Sequence, residues 1–282
     1  MSPPPRPESE LLLVFPQWQG AGDLPELRGS ALALASAVSG HRRRVEVPVE
    51  PAHRLSRERG IEGRSELLAQ LRAARDLLET HRPARIFAVG GDCGIEVPVI
   101  AYLDARWEGR LAVLWLDAHP DLNTPESSPS GHFHGMPLRV LLGDGDPEFT
   151  ALVSRPLRPE QIVLAGTRSF DPPERELAER RGLRRVSPGR LEEELPEILR
   201  WIRETGAGRV HVHLDLDVCE PQELPTVACP TPGGVRVDAL VRVLEAISGE
   251  VDVVGAAITE ALLGEGPVPR ALEPALRWFR DL

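Results

Sequence analysis

At 282 residues, 41% of them hydrophobic, the chain is long enough to bury the core of one large α/β domain or two small ones. Its formal net charge is -10, and its 33 basic residues, all Arg, are scattered among 43 acids instead of forming a stripe, which argues against nucleic acid as a partner. Its three cysteines, Cys93, Cys219 and Cys229, form no CxxC pair and are odd in number, which argues against a disulfide framework or zinc finger and points to a reducing, cytoplasmic setting.

In chain order, residues 1–10 (MSPPPRPESE) are polar and Pro-rich and read as a flexible start without the marks of a signal peptide. The apolar run that follows is too short to span a bilayer, so no membrane association is expected. Leu11 to Phe15 reads as a strand, Arg28 to Val38 as a helix, and Arg44 to Val49 as a strand that Pro48 marks as an edge or an end. Ser65 is the expected cap of a helix in which Leu67, Leu68, Leu71, Ala74, Leu77 and Leu78 recur at helical spacing, with Pro83 as the stop. A strand at Arg85 to Val89 ends in Gly90-Gly91-Asp92-Cys93-Gly94, a helix covers Ile95 to Asp104, and the apolar run from Leu111 ends in Asp117-Ala118-His119-Pro120-Asp121.

A Pro/Ser-rich loop leads to a helix at Pro137 to Leu142 and a strand at Gln161 to Ala165. Helices at Glu174 to Arg181 and Leu191 to Glu204 flank a short strand at Leu183 to Val186. A strand at Arg209 to Asp217, a helix at Val237 to Ile247, a strand at Val251 to Ile258 and a helix from Ala271 complete the chain. This alternation predicts one doubly wound α/β domain over 11–282, a parallel sheet covered on both faces, with no linker or internal repeat.

In such sheets ligands sit outside the carboxyl ends of the strands. GGDC, DAHPD and DLD each follow a strand, so residues far apart in sequence are expected to meet there. In an extended segment Asp117, His119 and Asp121, at i, i+2 and i+4, point to one side, and Asp215 and Asp217 repeat the pattern on RVHVHLDLD. Gathering like charges at the edge of a core is costly unless a cation lies between them. Four carboxylates and His119 suit a two-metal site, and mixed oxygen and nitrogen donors favour Mn²⁺, with Zn²⁺, Fe²⁺ or Co²⁺ as alternatives. His211 and His213 are weaker candidates: one of them could point at the site, but they read more simply as satisfied core or surface histidines.

The run DAHPDLNTPESSPSGHFHGMPL resembles the ureohydrolase family of arginases and agmatinases, whose pattern is DAHxD followed by SGxxHG. HLDLDVCEP is similar to that family's DxDxxDP motif, and GGDC stands where the family has GGDH. The resemblance covers Gly90 to about Glu260 and implies a three-layer α/β/α fold with an eight-stranded, mostly parallel sheet. It also implies two manganese ions per chain, hydrolysis of a guanidino or amidino C–N bond with release of urea and an amine, and assembly into trimers or hexamers.

Carried onto this sequence, the resemblance makes Asp117 and Asp215 bridging ligands, adds Asp121 at one metal, and places His119 and Asp217 at the other. It assigns proton transfer to Asp121 and His134 and retention of the guanidinium to Glu260. Asn123, Ser130 and Asp171 match positions contacting the amino-acid end of arginine, His132 replaces an asparagine with that role, and Thr231 falls in a loop beneath the substrate.

Cys93 stands where the family has a metal-binding histidine. As a thiolate ligand it would shift preference toward Zn²⁺ or Fe²⁺, and as a neutral buried thiol it would leave one metal weakly held. Glu220 replaces the last Asp of DxDxxDP. An arginine-like substrate is favoured. Agmatine, another guanidino acid, a formimino compound, or a non-catalytic binding role for a weakened site remain as alternatives.

Overall fold

The computed structural model describes residues 9–51, 53–264 and 267–282. β1 (Glu10–Phe15) leads through α1 (Glu26–Ala37) to β2 (Arg43–Glu46), and a short hairpin of β3 (Arg57–Glu58) and β4 (Ile61–Glu62) precedes α2 (Arg64–His81). β5 (Arg85–Gly90) is followed by α3 (Glu96–Arg106), then by β6 (Ala112–Leu116), a long loop, and the short helices α4 (Pro137–Leu141) and α5 (Pro147–Thr150). β7 (Ile162–Ala165), α6 (Pro172–Arg181), β8 (Arg184–Val186), α7 (Leu195–Thr205) and β9 (Arg209–Asp215) come next. α8 (Val237–Glu250), β10 (Asp252–Thr259) and α9 (Glu273–Asp281) close the order.

Eight strands form one sheet in the order β2-β1-β5-β10-β9-β6-β7-β8. Every pairing in it is parallel. Side chains alternate across the strands, so Leu13, Ala88, Val113 and Trp115 pack on Leu71 and Leu78 of α2 and Val99 and Leu103 of α3. Leu12, Phe87, Leu114 and Val212 pack on the other side against Leu34 of α1, Ile202 of α7, Leu244 of α8 and Phe279 of α9. The result is the expected α/β/α sandwich. Both faces being covered explains why β6 is buried at every residue and shows no polar alternation.

Several local expectations are corrected. Residues 1–8 lie outside the described residues, and Glu10, placed in the flexible start, is already in β1. Ser65 is inside α2: the N-cap is Gly63 at φ 64, and the Ser65 hydroxyl donates to Glu58 Oε2 at 2.9 Å. β2 stops at Glu46, at the sheet edge that Pro48 suggested. Leu191 to Glu194 forms turns ahead of α7. The β3–β4 hairpin and α5 were not expected, being too short to carry a periodic signal.

The strand order decides where the chemistry gathers. The crossover from β5 to β6 skips two positions, which β10 and β9 later fill, so the loops leaving β5, β10, β9 and β6 emerge side by side. Gly91, just after β5, ties that strand end to β1 and to the end of β10. Its N–H donates to Phe15 O at 3.3 Å, and its carbonyl accepts from Glu260 N at 2.7 Å. A Cβ at Gly91 would lie 1.7 Å from Gln17 O, a backbone atom that cannot turn aside.

Gly91→Ala is therefore expected to lower stability by about 3 kcal/mol in a urea melt, through overpacking. Gly29→Ala on α1, where nothing lies within 4 Å, should raise it by up to about 1 kcal/mol. Equal midpoints for the two variants would contradict this account of the strand ends.

Candidate metal centre

Asp92 is fully buried behind β5, where its carboxylate accepts from Gly94 N at 2.8 Å and Gly20 N at 2.9 Å. Burial and the nearby Glu260 push its carboxyl up to about 7. The turn that Asp92 starts, Cys93–Ile95, presents the Cys93 thiol to the strand ends. The thiol donates to Asp215 Oδ2 at 3.1 Å and lies 3.4 Å from Thr259 Oγ1 and 3.7 Å from His213 Nε2. Burial and the surrounding carboxylates, Asp215 first, drive its pKa well above the ordinary thiol value.

DAHPD is not extended as the sequence suggested. Asp117 to His119 form a bend, and Asp121 takes φ 51. The three side chains still reach one region because the bend folds them over the end of β6. Asp117 accepts from Trp115 Nε1 at 3.0 Å and from the His119 backbone N–H at 2.6 Å. Burial alone would raise its pKa, but His119 and His213 hold it below the usual carboxylate range. Asp121 Oδ2 is buried with no hydrogen-bond partner, and burial together with Asp117 and Glu174 drives that carboxyl well up.

β9 ends at Asp215, and Asp217 lies in the turn Leu216–Val218, so the two are not on one strand as expected. Asp215 instead caps that turn by accepting from Asp217 N at 2.8 Å. Asp217 accepts from Ala118 N at 3.0 Å, and its other oxygen is 2.9 Å from His119 Nδ1, which ties the β6 and β9 loops together. Burial works against a charged His119, yet Asp117 and Asp217 raise it to about 11. Burial and Asp117 raise Asp217 to about 6.

After β10, Glu260 takes φ 61 and turns its carboxylate inward. Its Oε1 accepts from Cys93 N at 3.0 Å and lies 3.1 Å from His134 Nδ1, while its Oε2 is buried and unpartnered. Burial disfavours a charged His134, but Glu260 raises its pKa.

The donor atoms of Cys93, Asp117, Asp121 and His213 lie within 4.8 Å of one another, as do those of Asp117, His119 and Asp217 and those of Cys93, Asp215 and Glu260. Buried carboxylate oxygens without donors, next to an imidazole and a thiol, fit divalent cations chemically. Above them opens a cleft of about 270 Å³, whose lining includes Asn123, Ser130, His132, His134 and Asp171.

At its rim Asn123 donates to Asp171 Oδ2 at 2.8 Å, Ser130 Oγ accepts from His132 N at 3.1 Å, and His132 Nε2 is 3.4 Å from Glu62. Thr231 does not line the cleft: its hydroxyl donates to Cys229 O at 3.1 Å, and it is Cys229 that faces the cavity. Glu220, the variant residue of the third motif, accepts from Gly233 N and Gly234 N at 2.9 Å each and holds that loop.

The sequence reading missed Arg168, whose guanidinium donates to backbone carbonyls of Asp217 at 2.9 Å, Val218 at 3.2 Å and Thr231 at 2.6 Å. No motif marks it. The same reading sets His213 down as a satisfied core or surface histidine, although alternation along β9 puts His211, His213 and Asp215 on one face.

A family model for the arginase family matches residues 50–262. The chain belongs to the arginase family. This arginase-family chain is 35% identical over 202 residues to the arginase of Bacillus caldovelox, covering 67% of each. It is 35% identical over 152 residues to an arginase of Staphylococcus aureus, where the match spans 52% of the chain and about half (50%) of the relative.

Its fold is that of the Entamoeba histolytica arginase solved with L-ornithine, at TM-score 0.84 with 20% identity over 97% of this chain and 98% of that one. It is also that of formimidoylglutamase from Bacillus subtilis, at TM-score 0.75 with 17% identity over 99% and 88%. Among the described residues no helix is long and apolar enough to cross a membrane.

Proton linkage follows from the shifted groups. Asp217, Asp92 and Glu174 move from 3.8, 3.8 and 4.5 to about 6, 7 and 7, chiefly by burial. The unfolded chain therefore releases these protons at lower pH than the folded chain does. Asp117 and Glu96 shift downward, so their contribution is complete by about pH 5. Metal-free protein should accordingly lose stability between about pH 5 and 7, and the rise in Tm on adding Mn²⁺ should grow across that window as metal replaces protons. A Tm increment that shrinks with rising pH would contradict this.

Proposed function

We propose that the chain is a metal-dependent hydrolase of a guanidino or amidino C–N bond, acting by preference on an arginine-like guanidino acid and releasing urea and an amine. The observation that carries the reading is the sharing of Asp117 between two donor groups, one with Cys93 and Asp121 and the other with His119 and Asp217. A shared carboxylate supports two adjacent cation positions, and the family resemblance adds Asp215 as a further ligand. Bound there, Mn²⁺, or Zn²⁺ or Fe²⁺ where Cys93 donates, would make water acidic enough to attack at neutral pH and would offset charge developing at carbon.

The protein's own groups do the rest. Glu260 Oε2, buried and without a partner, is the acceptor for a guanidinium N–H, and Oε1 stays fixed by Cys93 N and His134. Asp121 Oδ2 is the base for the attacking water. As the C–O bond forms and the C–N bond breaks, the departing amine needs a proton. With Nδ1 of His134 committed to Glu260, Nε2 is the atom that delivers it.

Asn123, Ser130, His132 and Asp171, on the cleft lining, offer mixed charge and hydrogen bonding suited to an amino-acid end group. That arrangement supports arginine over agmatine, whose far end carries no carboxylate. The family resemblance supports a homo-oligomer, trimer or hexamer, and the three unpaired cysteines support a cytoplasmic setting.

Urea release with Mn²⁺ across arginine, agmatine, guanidino acids and formimino compounds tests the proposal. Turnover is expected, fastest with arginine-like acids. Asp117→Ala and Asp215→Ala should lose metal and activity together, whereas His134→Ala should keep its metal and lose about 10²-fold in kcat. No turnover on any member of the panel, with at most one metal bound, would replace the hydrolase reading with a non-catalytic binding role.

A further inference from the structure

His213 has two ring nitrogens in different circumstances. Nδ1 is 2.9 Å from Glu96 Oε1, on a carboxylate that also holds His211 Nε2 at 2.9 Å, all three side chains being fully buried. The ring stacks on Trp115 with centroids 3.7 Å apart and an interplanar angle of 26°. One nitrogen is thus fixed by a carboxylate and the ring plane is fixed by an indole, which leaves Nε2 aimed at the strand ends. This carboxylate–histidine arrangement is the one that orients metal-binding imidazoles and sets their tautomer.

Nε2 has only long contacts, the one to sulfur a weak hydrogen bond at most. Its oxygen neighbour, Asp117 Oδ2, is 3.6 Å away, and Cys93 Sγ is 3.7 Å away. The first distance is too long for a hydrogen bond. Both are close to the edge lengths of a tetrahedral site, in which ligands at about 2.0 to 2.3 Å from a cation lie about 3.3 to 3.6 Å apart. Asp121 completes four donors within 4.8 Å of one another.

We infer that His213 is a metal ligand and that, with Cys93, Asp117 and Asp121, it builds a thiolate–imidazole–carboxylate site selective for a thiophilic divalent cation such as Zn²⁺ or Co²⁺. The neighbouring position, Asp117, His119 and Asp217, has only oxygen and nitrogen donors and keeps a preference for Mn²⁺. The centre is therefore asymmetric. This inference deepens the two-cation reading above and rests on it, but it concerns one ligand and one metal preference and is tested without turnover.

Metal-stripped full-length protein titrated with Co²⁺ alone is followed by absorption, and protein equilibrated with equal Zn²⁺ and Mn²⁺ is submitted to elemental analysis. The expected results are a near-ultraviolet thiolate-to-cobalt band with the first equivalent and one Zn²⁺ beside one Mn²⁺ per chain. His213→Gln should weaken the first cobalt equivalent at least tenfold, shift its band and leave the second equivalent unchanged. Unchanged affinity and spectrum in His213→Gln would overturn the inference.

Because a buried ring is being removed, zinc-edge X-ray absorption of the unaltered protein carrying one zinc provides a second reading. A shell with sulfur and imidazole supports His213 as ligand, and a shell without imidazole overturns it. Two metals and turnover with no effect of His213→Gln would sink this inference alone. A loaded cysteine–histidine site without turnover would sink only the hydrolase, and absence of metal binding would sink both.

Discussion

The structure is governed by the repulsion among acids that the sheet forces together. Asp117, Asp121, Asp215, Asp217 and Glu260 are each exposed by no more than 4%. They sit where four adjacent parallel strands end, in a region whose low polarity makes like charges costly. The sandwich can hold them there because its own stability comes from elsewhere, from strands buried on both faces. What the acids need is positive charge, and the details around them read as ways of supplying it or holding a place for it.

Geometry is imposed mainly by backbone. Asp92, Asp117 and Asp215 each accept an N–H from two residues further along, so each carboxylate closes a tight turn directly after its strand. Asp121 and Glu260 adopt positive φ, an arrangement that costs a non-glycine residue of order 1 kcal/mol and persists only where surroundings impose it. Arg168 supplies part of that frame by drawing carbonyls from distant points of the β9–α8 connection toward one guanidinium, and His119 joins the β6 and β9 loops through Asp217. A site built this way is rigid before any ligand arrives, which is the condition for placing a reacting carbon against water and acid–base groups at once.

Much of this was legible in the chain. Continuous apolar runs ending in acids identified β6 and β9 and, through the parallel-sheet rule, the edge at which their ends meet. Local conformation was less legible. DAHPD reads as an extended i, i+2, i+4 array, but it bends, because Asp117 takes the His119 N–H and stops the strand. Thr231 was placed by motif in a loop whose register a sequence cannot fix, and the cleft receives Cys229 instead. His213 was discounted because a buried histidine is ordinarily a satisfied one. What distinguishes it is the partner of each nitrogen, and Glu96, more than a hundred residues earlier, is invisible to any local pattern.

The histidines show what occupies the positive role without a cation. Despite burial, His119 is raised to about 11 by Asp117 and Asp217, and His213 to about 9 by Asp117 and Glu96. Protons on these rings offset the acids around them. A metal ion bound as proposed would compete with those protons for the same nitrogens and for the Cys93 sulfur, so loading would exchange protonic charge for metal charge instead of adding charge to a neutral cavity. Five anions, counting a Cys93 thiolate with the four aspartates, would face two dications and leave an excess negative charge beside Glu260. That field favours a cationic guanidinium in the cleft over a neutral isostere. On the proposed reading, the same crowding of acids that costs the fold stability would give a metal-loaded centre its selectivity.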